Sequence, residues 1–366
     1  MKHFYLSLIA LSLSTCAAAQ SLELQLKNLV DSFYNAHPKS VGIMINVESE
    51  SKKISFNYAV GYSDKNLNTP IDSYQPALTA SNTKTYVAAS ILRLVEQKKL
   101  TLEQPIAGLI HSKTNQLLIN AGYKTNEIKI QHLLSHTSGI ADYVDDDYFK
   151  FVDKNKKHRW TRDEQIKLAT TIGKPLAAPS DTFKYADVNY LLATEIIEHI
   201  TKKPFYKSIV DLLEFKKNHL LTTWFVSLQK PPKMSKPLVH QYYEKFSWNS
   251  YDLDPSWDLY GGGGIVTNTK DLSRFFKLLF EEKIIKDTTL LTKMCSPIYS
   301  KTNYCLGIRK IALNGTTAYY HGGWWGTDAM YFPELKTSIA IFILERSEKE
   351  ISSEISKQII KLIENN

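Results

Sequence analysis

Cysteine is scarce in this chain. Only Cys16, Cys295 and Cys305 occur in 366 residues, which excludes a disulfide-dense scaffold. Basic blocks are missing too. The formal charge of +8 is spread without a sustained Lys/Arg run, so the electrostatic footprint of a nucleic-acid binder is absent. The apolar run near the N-terminus, within residues 4–13, falls well short of the ~20 residues that a spanning helix needs. Metal-ligand spacing is lacking as well. His132 and His136 stand four apart, but no third ligand and no His-Glu-x-x-His pattern accompanies them, so they read as structural histidines. No internal repeat or low-complexity linker divides the chain.

What is present begins with Met1-Lys2-His3, the short apolar run and the small residues Ala17-Ala18-Ala19. That order predicts a secretory signal over residues 1–19 and a secreted or periplasmic mature protein, with residues 20–366 as its domain. Cys16 after Leu13-Ser14-Thr15 raises lipid attachment as a second reading, against which Thr15 is a poor residue at its place. Removing the signal leaves Cys295 and Cys305. Their spacing admits a disulfide or two buried thiols.

Periodicity then predicts a helix from Leu22 to His37 and a hairpin in which Val41–Val47 pairs with Ile54–Tyr58, continuing through Tyr62, across the polar turn Glu48–Lys53. Helices and loops fill the middle, including a helix over Val188–Ile200 and an irregular Pro- and aromatic-rich stretch from Pro231 to Pro255. After Gly261-Gly262-Gly263-Gly264 comes a helix from Thr269 to about Glu281. Strands follow at Tyr304–Leu313, Thr316–His321, Thr327–Phe332 and Thr337–Leu344, and a helix closes the chain near Glu348–Glu364. Strands at both ends around a helical middle imply an α+β fold, an α/β sandwich. One antiparallel sheet, flanked by N- and C-terminal helices, forms a lobe from residues of about 20–110 and 260–366. A mainly helical lobe of about 111–259 is inserted, and the cleft between the lobes is the natural site.

Ser81-Asn82-Thr83-Lys84 puts a hydroxyl and an amine one helical turn apart, on one face. That is a minimal kit for nucleophilic catalysis. The same spacing occurs at Ser49/Lys52, in the hairpin turn, and at Ser227/Lys230, which runs into Pro231-Pro232. Only Ser81 leads into a long helical pattern, to about Lys98, with Val87, Ile91, Leu92, Leu94 and Val95 spaced for one buried face. A helix N-cap is the alternative role for Ser81.

Downstream, Tyr185-Ala186-Asp187 precedes a helix and His321-Gly322-Gly323 ends a strand. Ser-x-x-Lys, then Tyr-x-Asp, then His-Gly-Gly resembles the serine β-lactamase and penicillin-binding-protein superfamily. The resemblance is greatest to the class C β-lactamase and D-Ala-D-Ala carboxypeptidase branch. Leu133-Leu134-Ser135-His136-Thr137-Ser138-Gly139 and Gly262-Gly263-Gly264-Ile265-Val266-Thr267 are similar to two further runs of that branch, in the same order.

The resemblance implies a β-lactamase/transpeptidase-like fold and a serine hydrolase that needs no cofactor or metal and acts on a small-molecule or peptide substrate through an acyl-enzyme. Ser81 would be the nucleophile and Lys84 the candidate base. Tyr185 would ionise more easily beside the lysine, take the serine proton and return it to the leaving group. The backbone N–H groups of Ser81 and Trp324 would form the oxyanion hole. Asp187, His321, Gly322, Gly323 and Trp325 would line the substrate site, with Trp324 and Trp325 either walling an apolar group or filling core.

Asp187 stands where the pattern has Asn, and a carboxylate there favours a protonated Lys84. Gly322 replaces a hydroxyl residue and His321 a lysine, both of which serve a substrate carboxylate in the family. β-Lactams and D-Ala-D-Ala peptides both carry that carboxylate, so efficient β-lactam hydrolysis by a class C-like enzyme is a weaker expectation. Cleavage of an ester or amide, as by a D-Ala-D-Ala carboxypeptidase-like enzyme or D-amino-acid peptidase, leads, and a carboxylesterase or an amidase acting on a less acidic substrate stays close behind. A penicillin-binding-like protein that never turns over is the non-enzymatic alternative.

Overall fold

The computed structural model describes residues 22–365, so the signal expected over residues 1–19 and Cys16 lie outside the described residues. Seven strands make the main sheet: β1 (Gly42–Ser49), β2 (Ile54–Asp64), β3 (Thr69–Pro70), β4 (Arg309–Leu313), β5 (Thr316–Gly323), β6 (Thr327–Phe332) and β7 (Thr337–Ile343). Their order is β3-β2-β1-β7-β6-β5-β4, and every pairing is antiparallel. The central pair joins the two ends of the chain, with Ile45 opposite Ile341 and Val47 opposite Ile339.

Both faces of this pair are covered, which is why β7 is apolar almost throughout and buried at all its positions. On one face Ile43, Ile45, Val47, Ile339 and Ile341 pack against Leu22, Leu26 and Val30 of helix α1 (22–36) and Ile355, Ile359 and Ile363 of the C-terminal helix (Ile351–Asn365). On the other, Met44, Ala340 and Phe342 share a core with Phe275 and Phe276 of the helix Thr269–Phe280. Each such side chain contributes about 1.5–3 kcal/mol on burial. The Thr269–Phe280 helix starts as its sequence suggests, with the Asn268 side chain accepting the Asp271 N–H at 2.8 Å.

The nucleophile-bearing helix α2 (Thr83–Glu96) departs from its expected single buried face. It is buried almost all round, from Thr83 through Leu92, because it lies between the sheet lobe and the helix Val188–Thr201 of the inserted lobe. The expected strand from Tyr304 is shorter as well and begins at Arg309. Residues before it cross α2 instead. The Gly307 carbonyl accepts from Thr85 Oγ1 at 2.8 Å, and Gly307 has a φ of 73° with no room for a side chain against Ala88.

Cys295 and Cys305 are free thiols. Burial pushes them up to about 12 and about 11, respectively, so they are unreactive. Among the described residues no helix is long and apolar enough to cross a membrane.

Candidate active site

Ser81 is the middle residue of a 3₁₀ turn, Ala80–Asn82, that leads directly into α2. Ala80 holds a left-handed φ of 46°, which costs a residue with a Cβ roughly 1–2 kcal/mol. Neighbours on three sides enforce the turn. Thr79 Oγ1 donates to the Ile265 carbonyl at 2.8 Å, Asn82 Nδ2 to the Thr327 carbonyl at 2.9 Å, and Thr327 Oγ1 to the Thr79 carbonyl at 3.0 Å. Ser81 is not the helix N-cap; Asn82 occupies that position.

Lys84 is fully buried, and its ammonium donates to Ser81 Oγ at 3.0 Å and to the Gly262 carbonyl at 2.6 Å. Asp187 Oδ1 forms an ion pair with it at 2.7 Å, off the direction of a directed hydrogen bond. Tyr185 hydrogen-bonds Ser81, and its ring lies 5.0 Å from the Lys84 nitrogen. Helix α2, the Val188–Thr201 helix start and the glycine turn thus bring Ser81, Lys84, Tyr185 and Asp187 together.

Tyr185 is not poised to ionise, contrary to expectation. Burial first, and the Asp187 carboxylate second, push its phenol well above the ordinary value. The lysine charge meant to favour a phenolate is already paired with Asp187. The resting site therefore holds a neutral phenol at Tyr185 beside the Lys84–Asp187 ion pair.

Two further carboxyl groups surround the pair and carry no motif signal. Asp142 Oδ1 accepts the N–H of Asp187 at 2.9 Å. Asp258 packs on the glycine turn, where a Cβ on Gly263 would lie 2.3 Å from its Oδ1. Burial, then repulsion from Asp187, pushes both up to about 7.

His321 is 3% exposed. Its Nε2 accepts from the Tyr304 hydroxyl at 3.0 Å and its Nδ1–H donates to the Gly322 carbonyl at 3.0 Å, a tautomer assigned from these partners. Burial, then the Lys84 charge, pulls it down to about 3. The neutral ring has both nitrogens engaged within the protein, which corrects its expected place as a substrate ligand. A Cβ on Gly322 would fall 2.3 Å from Tyr320 Oη, and that phenol donates to Asp328 at 2.8 Å. The missing hydroxyl of the motif is thus replaced by a tyrosine from two residues earlier. Gly323 lets β5 approach the Ser81 turn, since a Cβ there would lie 2.3 Å from the Thr79 carbonyl.

A cleft of about 440 Å³ runs past Ser81, Tyr185, Gly322, Gly323 and Trp324. Trp325 is only 1% exposed and belongs to the core, so it is no part of a substrate wall. Trp324 does border the cleft. Its ring stacks on Phe149 at 5.6 Å, and the Arg346 guanidinium lies 4.3 Å from it.

Among the described residues no group of His, Cys, Asp or Glu is arranged to hold a metal ion. His132 and His136 are tied into the lobe: His132 Nδ1 accepts from Lys129 N–H at 3.1 Å and His136 Nδ1 from Ala186 N–H at 3.2 Å.

A family model described as Beta-lactamase matches residues 47–350. Protein flp of Staphylococcus aureus (strain N315) is 26% identical over 239 residues, 62% of this chain but only 43% of that protein. The chain thus spans less than half the length of that relative. Penicillin-binding protein 4* of Bacillus subtilis (strain 168) is 22% identical over 338 residues, 86% of this chain and 70% of that one. Among solved structures, the D-amino acid amidase from Ochrobactrum anthropi SV3 complexed with L-phenylalanine superposes with a TM-score of 0.76 at 20% identity, covering 93% of this chain and 99% of the other. EstCE1, a hydrolase with promiscuous acyltransferase activity, gives 0.74 at 19%, covering 95% and 99%. At these identities the superpositions establish the fold.

Proposed function

The chain belongs to the beta-lactamase family, whose serine hydrolases act through an acyl-enzyme, and from that premise we propose that Ser81 is the nucleophile of an enzyme cleaving an ester or amide of a D-amino-acid-containing peptide or amide. The observation that carries this reading is the contact of Ser81 Oγ with both Lys84, at 3.0 Å, and Tyr185. A secreted or periplasmic location, with residues 1–19 cleaved, belongs to the same proposal and is supported by the order of charge, apolar run and small residues at the start of the chain. The D-amino-acid substrate class is supported by the names of similar proteins, an amidase and a penicillin-binding protein.

Attack on the carbonyl carbon forms the Ser81 Oγ–C bond while the serine proton passes to the Lys84–Tyr185 pair. The carbonyl oxygen takes the negative charge and faces the N–H groups of Ser81 and Trp324, each worth about 3 kcal/mol in such sites. Collapse breaks the bond to the leaving group, which receives the proton. Water then repeats the sequence against the acyl-enzyme and releases the acid. Because the Tyr185 phenol is held protonated by burial and by Asp187, the pair must lose that proton before Tyr185 can accept the serine's. Acylation should therefore rise with pH on the alkaline side of neutrality.

An esterase reading is favoured by one observation. The slot of the carboxylate-binding hydroxyl is filled by Tyr320, whose proton goes to Asp328.

Incubation with a fluorophosphonate should add one probe mass to the protein and none to Ser81→Ala. No adduct with any serine-directed probe would sink the proposal. Parallel turnover of nitrophenyl esters, a chromogenic cephalosporin and a D-Ala-D-Ala peptide then separates esterase, β-lactamase and peptidase, and labelling without turnover of any of them identifies a non-turnover binder.

A further inference from the structure

Arg346 opens the 3₁₀ turn Arg346–Glu348 that follows β7 and borders the same cleft as Ser81. Its guanidinium lies against two mutually perpendicular rings, 4.3 Å from Trp324 and 4.5 Å from Tyr243. Cation–π attraction to these rings holds the guanidinium in place but gives its N–H donors no oxygen acceptor. The Nε is buried without a hydrogen-bond partner, and no carboxylate forms an ion pair with this arginine among the described residues.

The carboxylates whose charge acts on Arg346, Glu345 and Glu350, form no ion pair with it and have other partners. Glu345 accepts the N–H groups of Glu244 at 3.1 Å and Ser347 at 3.0 Å. Glu350 is highly exposed and pairs with Lys349 at 3.6 Å. Asp328 accepts from the Tyr320 and Ser352 hydroxyls. The other cleft cations have partners of their own, Lys349 in that ion pair and Arg309 at Asn303 Oδ1, 2.9 Å away. A buried donor left unpaired costs about 1–3 kcal/mol, and a guanidinium without an acceptor of its own suits a carboxylate.

We propose that Arg346 is the anion-reading residue of this cleft, binding a carboxylate on the substrate whose ester or amide bond is presented to Ser81. The proposal rests on the Ser81 reading above. It moves carboxylate recognition from the His321–Gly322 strand end, where the ring is neutral and the hydroxyl missing, to the turn after β7. It also reassigns Trp324, whose exposed role is to carry the guanidinium.

The test uses two pairs of esters, each acid compared with its methyl ester. In 3-acetoxybenzoate the carboxylate is on the leaving group; in mono-p-nitrophenyl glutarate it is on the acyl group. The rate of Ser81 acylation is followed by intact mass. The wild-type protein should prefer the free acid in at least one pair by about 10- to 100-fold, the size of a charge-assisted hydrogen bond. Arg346→Gln should abolish that preference through the concentration dependence, leaving the methyl esters within about twofold, and Arg346→Lys should restore part of it.

No preference in either pair for the wild-type protein, or an equal loss on acid and methyl ester in Arg346→Gln, overturns the inference. Fluorophosphonate labelling distinguishes the two levels. If Ser81 labels normally while the preference is absent, the anion site alone fails; if Ser81 does not label, the nucleophile reading fails with it.

Discussion

Replacing Asp187 by asparagine removes the carboxylate that pairs with Lys84 and helps to hold the proton on Tyr185, and its effect can be sized from the geometry. At 2.7 Å the gross attraction is about 6 kcal/mol for an effective dielectric of ~20. Desolvation of both ions offsets much of that. Opposite charges at such range typically move a titration by ~1–3 pH units, each about 1.4 kcal/mol. Asp142 and Asp258, both raised partly by Asp187, would ionise more readily in the variant and return some of the lost field, which favours the low end of that range. Tyr185 is held up by burial and then by Asp187, so losing that carboxylate lowers the pH at which its phenol gives up its proton. The expected result is that the alkaline rise in Ser81 acylation moves to lower pH by about one unit in Asp187→Asn. The assay is the second-order rate of fluorophosphonate labelling between pH 6 and 10, followed by intact mass, with a melting curve at each pH to confirm the fold. A rise that stays in place, or moves to higher pH, would refute both the charge assignment and the requirement for proton loss.

Tyr185→Phe should slow acylation at least as much as Lys84→Ala, each by about 10²- to 10⁴-fold, because Lys84 is committed to Asp187; clearly greater residual labelling in Tyr185→Phe than in Lys84→Ala counts against this. Gly323→Ala should abolish labelling, since its Cβ would meet the Thr79 carbonyl at 2.3 Å and drive β5 from the Ser81 turn, at a stability cost of about 1–3 kcal/mol by thermal melting. Wild-type labelling in that variant would show that the strand and turn can separate without harm. Asp258 carries a folded pKa of about 7 against ~3.9 unfolded, so the native state keeps a proton that the unfolded chain has released, and stability falls as pH rises through that window. Asp258→Asn should therefore match wild-type melting near pH 4 and exceed it by a few degrees at pH 8, as scanning calorimetry would report; an equal gap at both pH values contradicts the burial.

The fold was readable because its signals are local. The hairpin turn at Glu48–Lys53, the helix after the Gly261–Gly264 run and the apolar run of β7 each show in a few consecutive residues. The motifs carrying Ser81, Lys84, Tyr185 and Asp187 were readable for the same reason, being fixed spacings at helix starts. Side-chain partners from remote segments were not. Asp142, Asp258, Asp328 and Arg346 reach the cleft only through tertiary packing, and none has a spacing that marks it. The direction of the Tyr185 shift depended on burial and on a competing Lys84–Asp187 contact, neither of which periodicity reveals. Trp325 was open between wall and core because adjacent residues at a strand end can face opposite sides, and only the packing decides which.

The pairing of β1 with β7 has a consequence for how the protein comes into being. Ile43 sits opposite Ile343, so the centre of the sheet waits for a strand made about three hundred residues later. Closing so long a loop delays the reward for the contacts it brings. Helix α2 emerges from the ribosome early, yet the β5 and β6 walls that hold the Ser81 turn come more than two hundred residues later. A growing chain therefore carries its nucleophile long before it has any means of using it, and a product terminated before Thr337 would be inert and exposed along an unpaired strand edge.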